Sequence, residues 1–325
     1  MTPDAQILAA LYAQPGGVSG AQLVAQLNLS RAVLWARIEE LRRVGYDIAA
    51  GPHYGYRLVS SPDALYADDL LARLGPTQVV GRDIQVFAQT TSTNDVVEKL
   101  ARDGVKEGAV VFAETQTKGR GRLGRTWLSP VRKGLWFSVL LRPALRPQEI
   151  TRLTVMAATA LRRAVQTVTG LAVAIKWPND LLLDGRKIVG ILTEMSAEAS
   201  RVRHVIIGLG VDVNLDAAEL SGDLHQTATS LKIKTGAPLS RAALAVEILR
   251  ELDADYARLR AGQFPQIADE WEAACITMGR NVTVHTGDRK FQGRAEALDD
   301  EGALLVRTEH GHLERILGGE VGLEK

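Results

Sequence analysis

Glu114–Trp127 reads ETQTKGRGRLGRTW. Three glycines, Gly119, Gly121 and Gly124, alternate here with four cations, Lys118, Arg120, Arg122 and Arg125. Glycine lets backbone N–H groups approach a ligand closely and adopts positive φ without strain. Arginine presents a fixed fork of donors that matches carboxylate and phosphate. Bare backbone interleaved with cations describes a loop that wraps an anion. A solvated basic turn or a nucleic-acid patch has similar composition, so the flanks decide. Ala109–Ala113 (AVVFA) before the loop and Leu135–Leu141 (LWFSVLL) after it both read as buried strands. A cationic loop slung between two core strands is anchored at both ends, which suits a binding site.

Upstream, Ile84–Phe87 is strand-like, and Thr90-Thr91-Ser92-Thr93-Asn94-Asp95 leads into the helical VVEKLARDG. Thr91–Thr93 offer N-cap oxygens. Hydroxyls and an amide at a helix start also suit a small polar ring. Downstream, residues 150–170 form a long amphipathic helix closed by Gly170. Ala172–Met195 then carries two strands, Val173–Ile175 and Ile188–Leu192, with Lys176-Trp177-Pro178-Asn179-Asp180 as a polar bend after the first. Asp184-Gly185 is a hairpin turn, which sets Lys187 at the start of the return strand. A lysine held there, partly desolvated, can neutralise charge developing on phosphate, although a lysine flanking a turn is usually a surface residue.

His204–Leu209 is another core strand, running into GLGVDVN (208–214). Val213 occupies the third glycine position of a dinucleotide fingerprint, and no G-x-x-x-x-G-K-[ST] loop occurs. Phosphate binding therefore falls to the arginine loop. Residues 215–235 are expected to be irregular and mobile. Helices follow over 241–259 and 267–274.

The first sixty residues read as a separate unit. Ala5–Ala13, GAQLVAQL after Ser19, and RAVLWARIEELRRVG after Ser30 have helical apolar spacing, with Val33, Leu34, Ile38 and Leu41 inward in the third. Two short strands, Tyr46–Ile48 and Tyr56–Val59, surround a turn at 51–55. This is the winged helix-turn-helix pattern, with Ser30, Arg31, Trp35 and Arg37 as exposed DNA-binding candidates on the third helix. The segment 1–60 holds five Arg against four Asp or Glu, a weak electrostatic footprint, and winged helices also serve as protein–protein modules. From Thr277 onward, short alternating strands and turns suggest a small SH3-like barrel. His310 and His312 have no further ligand types around them, so no metal site is expected.

Composition bounds the rest. The chain has 325 residues, 46% hydrophobic and 24% charged, with a net charge of +1. That is ordinary for a globular protein and gives no global field toward DNA or membrane. Cys275 is the only cysteine, which excludes an internal disulfide and fits a reducing compartment. No signal peptide or long uncharged apolar run is evident, so a cytoplasmic location is expected. The expected fold is α+β and multidomain. It comprises a winged helix-turn-helix over 1–62, a central mixed α/β catalytic domain over 63–276 and an SH3-like barrel over 277–325.

GRGRLGRTW, KWPND followed by DGRKIVGIL, and STN before a helix, in this order and spacing, resemble biotin–protein ligases. The winged-helix start makes the chain similar to the bifunctional class, which also represses the biotin operon. The likeness covers essentially the whole chain, and GRGRxGR paired with KWPND is its specific part. It implies an enzyme that joins biotin to ATP, with Mg²⁺, and passes biotin from biotinyl-5′-adenylate to one lysine of an acceptor. The acceptor implied is the biotin carboxyl carrier protein of acetyl-CoA carboxylase. Ser92, Thr93, Asn94 and Gln116 match biotin contacts. Arg120, Gly121 and Arg122 match the loop over biotin and adenylate, and Lys187 matches the lysine beside the biotin carboxylate and α-phosphate. The nucleotide side is expected to involve Arg120, Arg122, Trp127, Lys176, Asn179 and Asp212. Lys187 and Arg122 are the catalytic candidates, with Asp180 as a group that positions or accepts from the incoming amine. Two positions depart from the pattern: Asp212 stands where the family usually has asparagine, and Glu324 where relatives have a basic residue. The resemblance further implies operator DNA as a partner and a homodimer promoted by ligand. A ligase without DNA binding, and a biotin-sensing regulator without catalysis, are the alternatives.

Overall fold

The computed structural model describes residues 1–198, 201–220 and 222–323, so Glu324 lies outside the described residues. Helix α1 (Pro3–Ala13) starts because Thr2 caps the Ala5 N–H and Pro3 pre-sets the first turn. In α2 (Gly20–Leu27), Ser19 and Gln22 close a reciprocal capping box. Asn28, in the left-handed region at φ 50°, turns the chain into α3 (Arg31–Arg43), which Ser30 caps through the Val33 N–H at 3.2 Å. Ile7, Leu8, Leu11, Leu23, Leu34, Ile38 and Leu41 bury their side chains together. Val33 is 43% exposed, contrary to the inward position expected from spacing. Leu34 and Ile38 already fill the core-facing stripe, and Val33 falls one step outside it. A hairpin of β1 (Asp47–Gly51) and β2 (Gly55–Ser60) forms the wing.

Helix α4 (Ala67–Leu74) follows and packs against both α1 and the later α9 (Arg241–Arg260). The Tyr12 hydroxyl donates to Asp69 at 2.5 Å, and Arg73 donates to the same carboxylate at 2.8 Å while lying 4.3 Å from the Tyr12 ring centroid. This end of the chain is therefore docked by polar bonds and a ring contact.

The middle of the chain builds a sheet from β3 (Asp83–Phe87), β4 (Ala109–Ala113), β5 (Leu135–Leu141), β6 (Ala174–Lys176), β7 (Asp180–Leu183), β8 (Arg186–Glu198) and β9 (Arg201–Val211). Its order is β3-β4-β5-β9-β8-β7-β6, with β3 and β4 parallel and the other neighbours antiparallel. The two long strands exceed the lengths read from sequence, because Thr193–Glu198 and Arg201–Arg203 hold only three apolar residues, Met195, Ala197 and Val202. One face of the sheet carries α6 (Thr151–Thr169), with α9 and α10 (Phe264–Ala274) packed around it. The other carries α5 (Thr93–Arg102), whose Val97 and Ala101 meet Val111, Leu140 and Ile206. Side chains alternate faces along a strand, so Gly208, Gly210 and Asp212 lie on the α5 face beyond Ile206. The site forms there.

Residues 215–235 are more regular than expected. A single 3₁₀ turn at Ala217–Glu219 precedes α7 (Leu224–Thr227) and α8 (Leu231–Thr235). Asp216 ties the segment down by pairing with Lys133 at 3.0 Å and Lys232 at 2.5 Å. Helices α9 (Arg241–Arg260) and α10 (Phe264–Ala274) complete the layer. Strands β10 (Asn281–Thr286), β11 (Arg289–Leu298), β12 (Leu304–Thr308), β13 (Leu313–Ile316) and β14 (Glu320–Leu323) form an antiparallel sheet in the order β13-β12-β11-β10-β14. Among the described residues, no helix is long and apolar enough to cross a membrane.

Candidate active site

The floor of the site explains three glycines. Gly190 and Gly210 face each other across β8 and β9, and the Trp127 indole lies on both. A Cβ on Gly210 would sit 2.4 Å from the indole, and one on Gly190 would sit 2.6 Å from it. Gly208 is cleared for Asn94, whose Oδ1 would be 2.3 Å from an added Cβ. These glycines, uninformative in sequence once the dinucleotide fingerprint failed, make room for a tryptophan and an asparagine.

The start of α5 is capped in an unexpected way. Ser92 is the N-cap but makes no side-chain cap bond. Gln116, from the strand-to-loop junction, accepts the Thr93 N–H at 2.8 Å instead, and donates to Ser129 at 3.0 Å. The buried Ser92 hydroxyl thus remains on the cavity wall. Thr93 and Asn94 both join the Ser138 hydroxyl, at 2.7 and 2.5 Å. Asn94 also donates to Glu194 at 2.6 Å. The result is a buried polar cluster of hydroxyls and amides with defined orientations.

The glycine–arginine loop folds over this floor. Gly121 N–H donates to the Arg125 carbonyl at 2.7 Å, making a small internal hairpin. Positive φ falls on Gly124 (73°) and on Leu123 (55°), whose side chain is 70% exposed at the tip. Gly119 serves close approach, because the Trp127 carbonyl would lie 2.5 Å from a Cβ there. Each arginine is then fixed by another element. Arg120 donates to Asp95 at 2.7 Å. Arg122 donates to the Asn179 side-chain oxygen and to the Gly319 carbonyl, both at 3.1 Å. Arg125 pairs with Glu320. Asn179 is itself oriented, since its amide nitrogen donates to the Ile191 carbonyl at 2.9 Å. Burial pulls the Arg122 guanidinium below its ordinary range, and Asp180 and Glu320 oppose that.

Lys187 stands opposite, as its position after the turn predicts. Its Nζ lies 2.6 Å from Asp180 and 5.2 Å from the Trp127 ring centroid. Asp212 sits behind it. Burial pushes its carboxyl up to about 8, and the nearby Lys187 charge only partly offsets this. Near neutral pH Asp212 is therefore mostly a neutral carboxylic acid, able to donate one hydrogen bond, as the amide of an asparagine does.

All the cavity candidates from the sequence, from Ser92 through Lys176 to Asp212, line one space of about 580 Å³. That volume fits a cofactor-sized ligand. Ser30, Arg31, Trp35 and Arg37 lie elsewhere, on the exposed side of α3, with Trp35 60% exposed. Among the described residues, no group of three or more His, Cys, Asp or Glu is placed to hold a metal ion.

Three family models match. One described as the biotin/lipoate A/B protein ligase family covers residues 86–212, one described as the biotin protein ligase C-terminal domain covers 277–323, and one described as an HTH domain covers 4–57. The chain is 37% identical over 315 residues to the bifunctional ligase/repressor BirA of Bacillus subtilis, covering 96% of each. It is 31% identical to BirA of Escherichia coli, covering 97% of this chain and 96% of that one.

The chain belongs to the biotin protein ligase family.

A solved structure of the biotin protein ligase from Aquifex aeolicus, in complex with biotin and ATP, superposes with a TM-score of 0.64 at 29% identity, covering 75% of this chain and 99% of that one. In this biotin protein ligase, sequence reading missed Ser138, Glu194 and the Gly319-Glu320 turn. Ser138 sits inside an apolar strand, where period-2 reading sees only core. Glu194 breaks the apolar run GIL-T-E-M (190–195), the one signal that was available. The turn reaches the loop across nearly two hundred residues, and nothing local marks it.

Proposed function

We propose that the chain activates biotin with Mg²⁺–ATP to biotinyl-5′-adenylate and transfers biotin to a lysine of the biotin carboxyl carrier protein of acetyl-CoA carboxylase. We also propose that it represses biotin genes by binding operator DNA as an adenylate-promoted homodimer. One observation carries the enzymatic reading. Arg122, fixed by Asn179 and Gly319, and Lys187, held by Asp180 against Trp127, converge on one cavity from separate elements.

Ser92, Thr93, Asn94 and Gln116 are assigned to the biotin end, where the polar cluster suits a ring with donors and acceptors. Arg120 and Gly121 close over it. Biotin's carboxylate and the triphosphate repel each other, and fixed cations offset that repulsion. The carboxylate oxygen bonds to the α-phosphorus and pyrophosphate leaves. Arg122 and Lys187 stabilise the charge that accumulates at phosphorus. Mg²⁺ would enter with the triphosphate and would offset part of its charge. Trp127, Lys176, Asn179 and Asp212 are assigned to the nucleotide side. In the second step the acceptor amine attacks the acyl carbon and AMP leaves. Asp180 positions that amine or takes its proton. The closed loop keeps water from the mixed anhydride.

For DNA, α3 presents Arg31 and Trp35 outward from a helix capped by Ser30. Arg37 lies 3.6 Å from Asp4. The near-even count of five Arg against four Asp or Glu over residues 1–60 favours a second reading, a ligase whose N-terminal domain leaves DNA alone. The test is incubation with biotin, Mg²⁺–ATP and a carrier domain, beside Lys187→Ala and Arg122→Ala. Label on one carrier lysine, reduced in both variants, is expected. A wild type that transfers nothing and releases no pyrophosphate would leave only a biotin-sensing regulator.

A further inference from the structure

Arg120 is held in a way the reaction itself does not require. One guanidinium nitrogen donates to Asp95 of α5 at 2.7 Å, and the other lies 3.5 Å from Glu194 of β8. The two carboxylates thus grip one arginine from two separate elements. Glu194 pairs in register with Ile206, so it projects from the same sheet face as Gly190 and Gly210. It breaks an apolar strand to do so. It also accepts from the Asn94 amide at 2.6 Å, which connects the grip to the polar cluster beneath. Arg120 forms a bridge pair with Thr126, and Gly121 bonds Arg125 at 2.7 Å. The tip carrying Arg122 is therefore a stiff hairpin hinged at Arg120. Arg120 anchors the base of that hairpin, while Arg122 and Arg125 anchor its tip.

We propose that Asp95 and Glu194 are positioning residues that latch the glycine–arginine loop through Arg120 and set how long the adenylate is retained. This rests on the adenylate-forming reading above. Neither carboxylate takes part in bond making. Both sites are partly exposed, so each pair contributes modestly and the two act together.

The test uses full-length protein loaded with biotinyl-adenylate, and measures its dissociation rate and the rate of tryptic cleavage at residues 118–125. The Asp95→Asn/Glu194→Gln double variant is expected to release adenylate about fivefold faster, with faster loop cleavage and an unchanged melting profile. Glu194→Gln keeps an acceptor for Asn94, so its KM for biotin stays near wild type. Glu194→Ala removes that acceptor and raises the biotin KM as well. Glu198→Gln, on the same strand but paired with Arg203, serves as the charge control and should change neither rate. Wild-type retention and cleavage rates in the double variant would overturn the latch. If wild type formed no adenylate, the reading beneath it would fail instead, and cleavage of the free protein would still report whether the carboxylates hold the loop.

Discussion

The glycine–arginine loop and helix α3 both present arginines, but hold them differently. In the loop, Arg120, Arg122 and Arg125 are each bonded to a different element. On α3, Arg31 stands exposed and Arg37 has only a 3.6 Å pairing with Asp4. Cations fixed in advance suit one small ligand of known shape, because little reorganisation remains when it binds. Loosely held cations suit a long polyanion, where attraction is diffuse and screened by salt. The near-neutral chain therefore carries two arginine-bearing surfaces of different kinds, and neither is visible in net charge.

The two surfaces are physically joined, and cutting that joint is expected to have the largest effect. Arg241, fully buried, donates to Glu114 at 2.6 Å and to the Asp63 carbonyl at 2.6 Å, while Glu114 accepts the Leu65 N–H at 2.8 Å. Glu114 opens the loop sequence, and residues 63–65 follow the wing. Glu114→Ala leaves the buried guanidinium with only the half-exposed Asp63 carboxylate at 3.2 Å, a loss toward the lower end of about 3–5 kcal/mol, read by urea unfolding. A loss below about 1 kcal/mol would mean water already screens the pair.

Next in size, Lys187→Ala should lower kcat/KM for adenylate formation about 10²–10³-fold. Operator binding with adenylate supplied ready-made should be retained. Equal damage to both would erase the division between the two surfaces.

Asp212 gives a pH test of the cavity alone. Its folded carboxyl holds a proton up to about pH 8, whereas 3.8 is its ordinary value. The folded state binds the extra proton, so this contribution is full below the ordinary value and is lost as pH rises through about 8. Between pH 6 and 8 the wild type should lose about 2 kcal/mol from this group. Asp212→Asn should flatten that slope in denaturant melts at matched salt. An unchanged slope would place the charge elsewhere.

The smallest effect is expected on α3. Arg31→Ala should reduce the salt dependence of operator binding by about one unit of log–log slope and leave biotin transfer unchanged. No operator binding by the wild type, with or without adenylate, would favour the second reading.

The loop, the polar bend at KWPND, the Asp184-Gly185 turn and the capped helices were legible because each is a local pattern of turn chemistry, periodicity and residue type, whereas β7 was not read. What escaped was set by distance. Gln116 caps α5 from the loop after β4, and that exchange leaves Ser92 open. Gly190 and Gly210 need Trp127 to be understood. The Gly319-Glu320 turn returns to the loop from the final strand pair. Val33 is apolar yet exposed, because apolar spacing alone does not mark the angular stripe that Leu34 and Ile38 already fill. The outer halves of β8 and β9 were missed because one solvated face dilutes their apolar content.

The most direct test of the shared cavity is a single-turnover experiment with biotin and Mg²⁺–ATP and no acceptor. One pyrophosphate released per active site, with biotinyl-adenylate retained on the wild type and this burst slowed in Lys187→Ala, is the predicted result. Biotin and ATP that bind without any pyrophosphate release, or a burst that Lys187→Ala leaves untouched, would contradict the account.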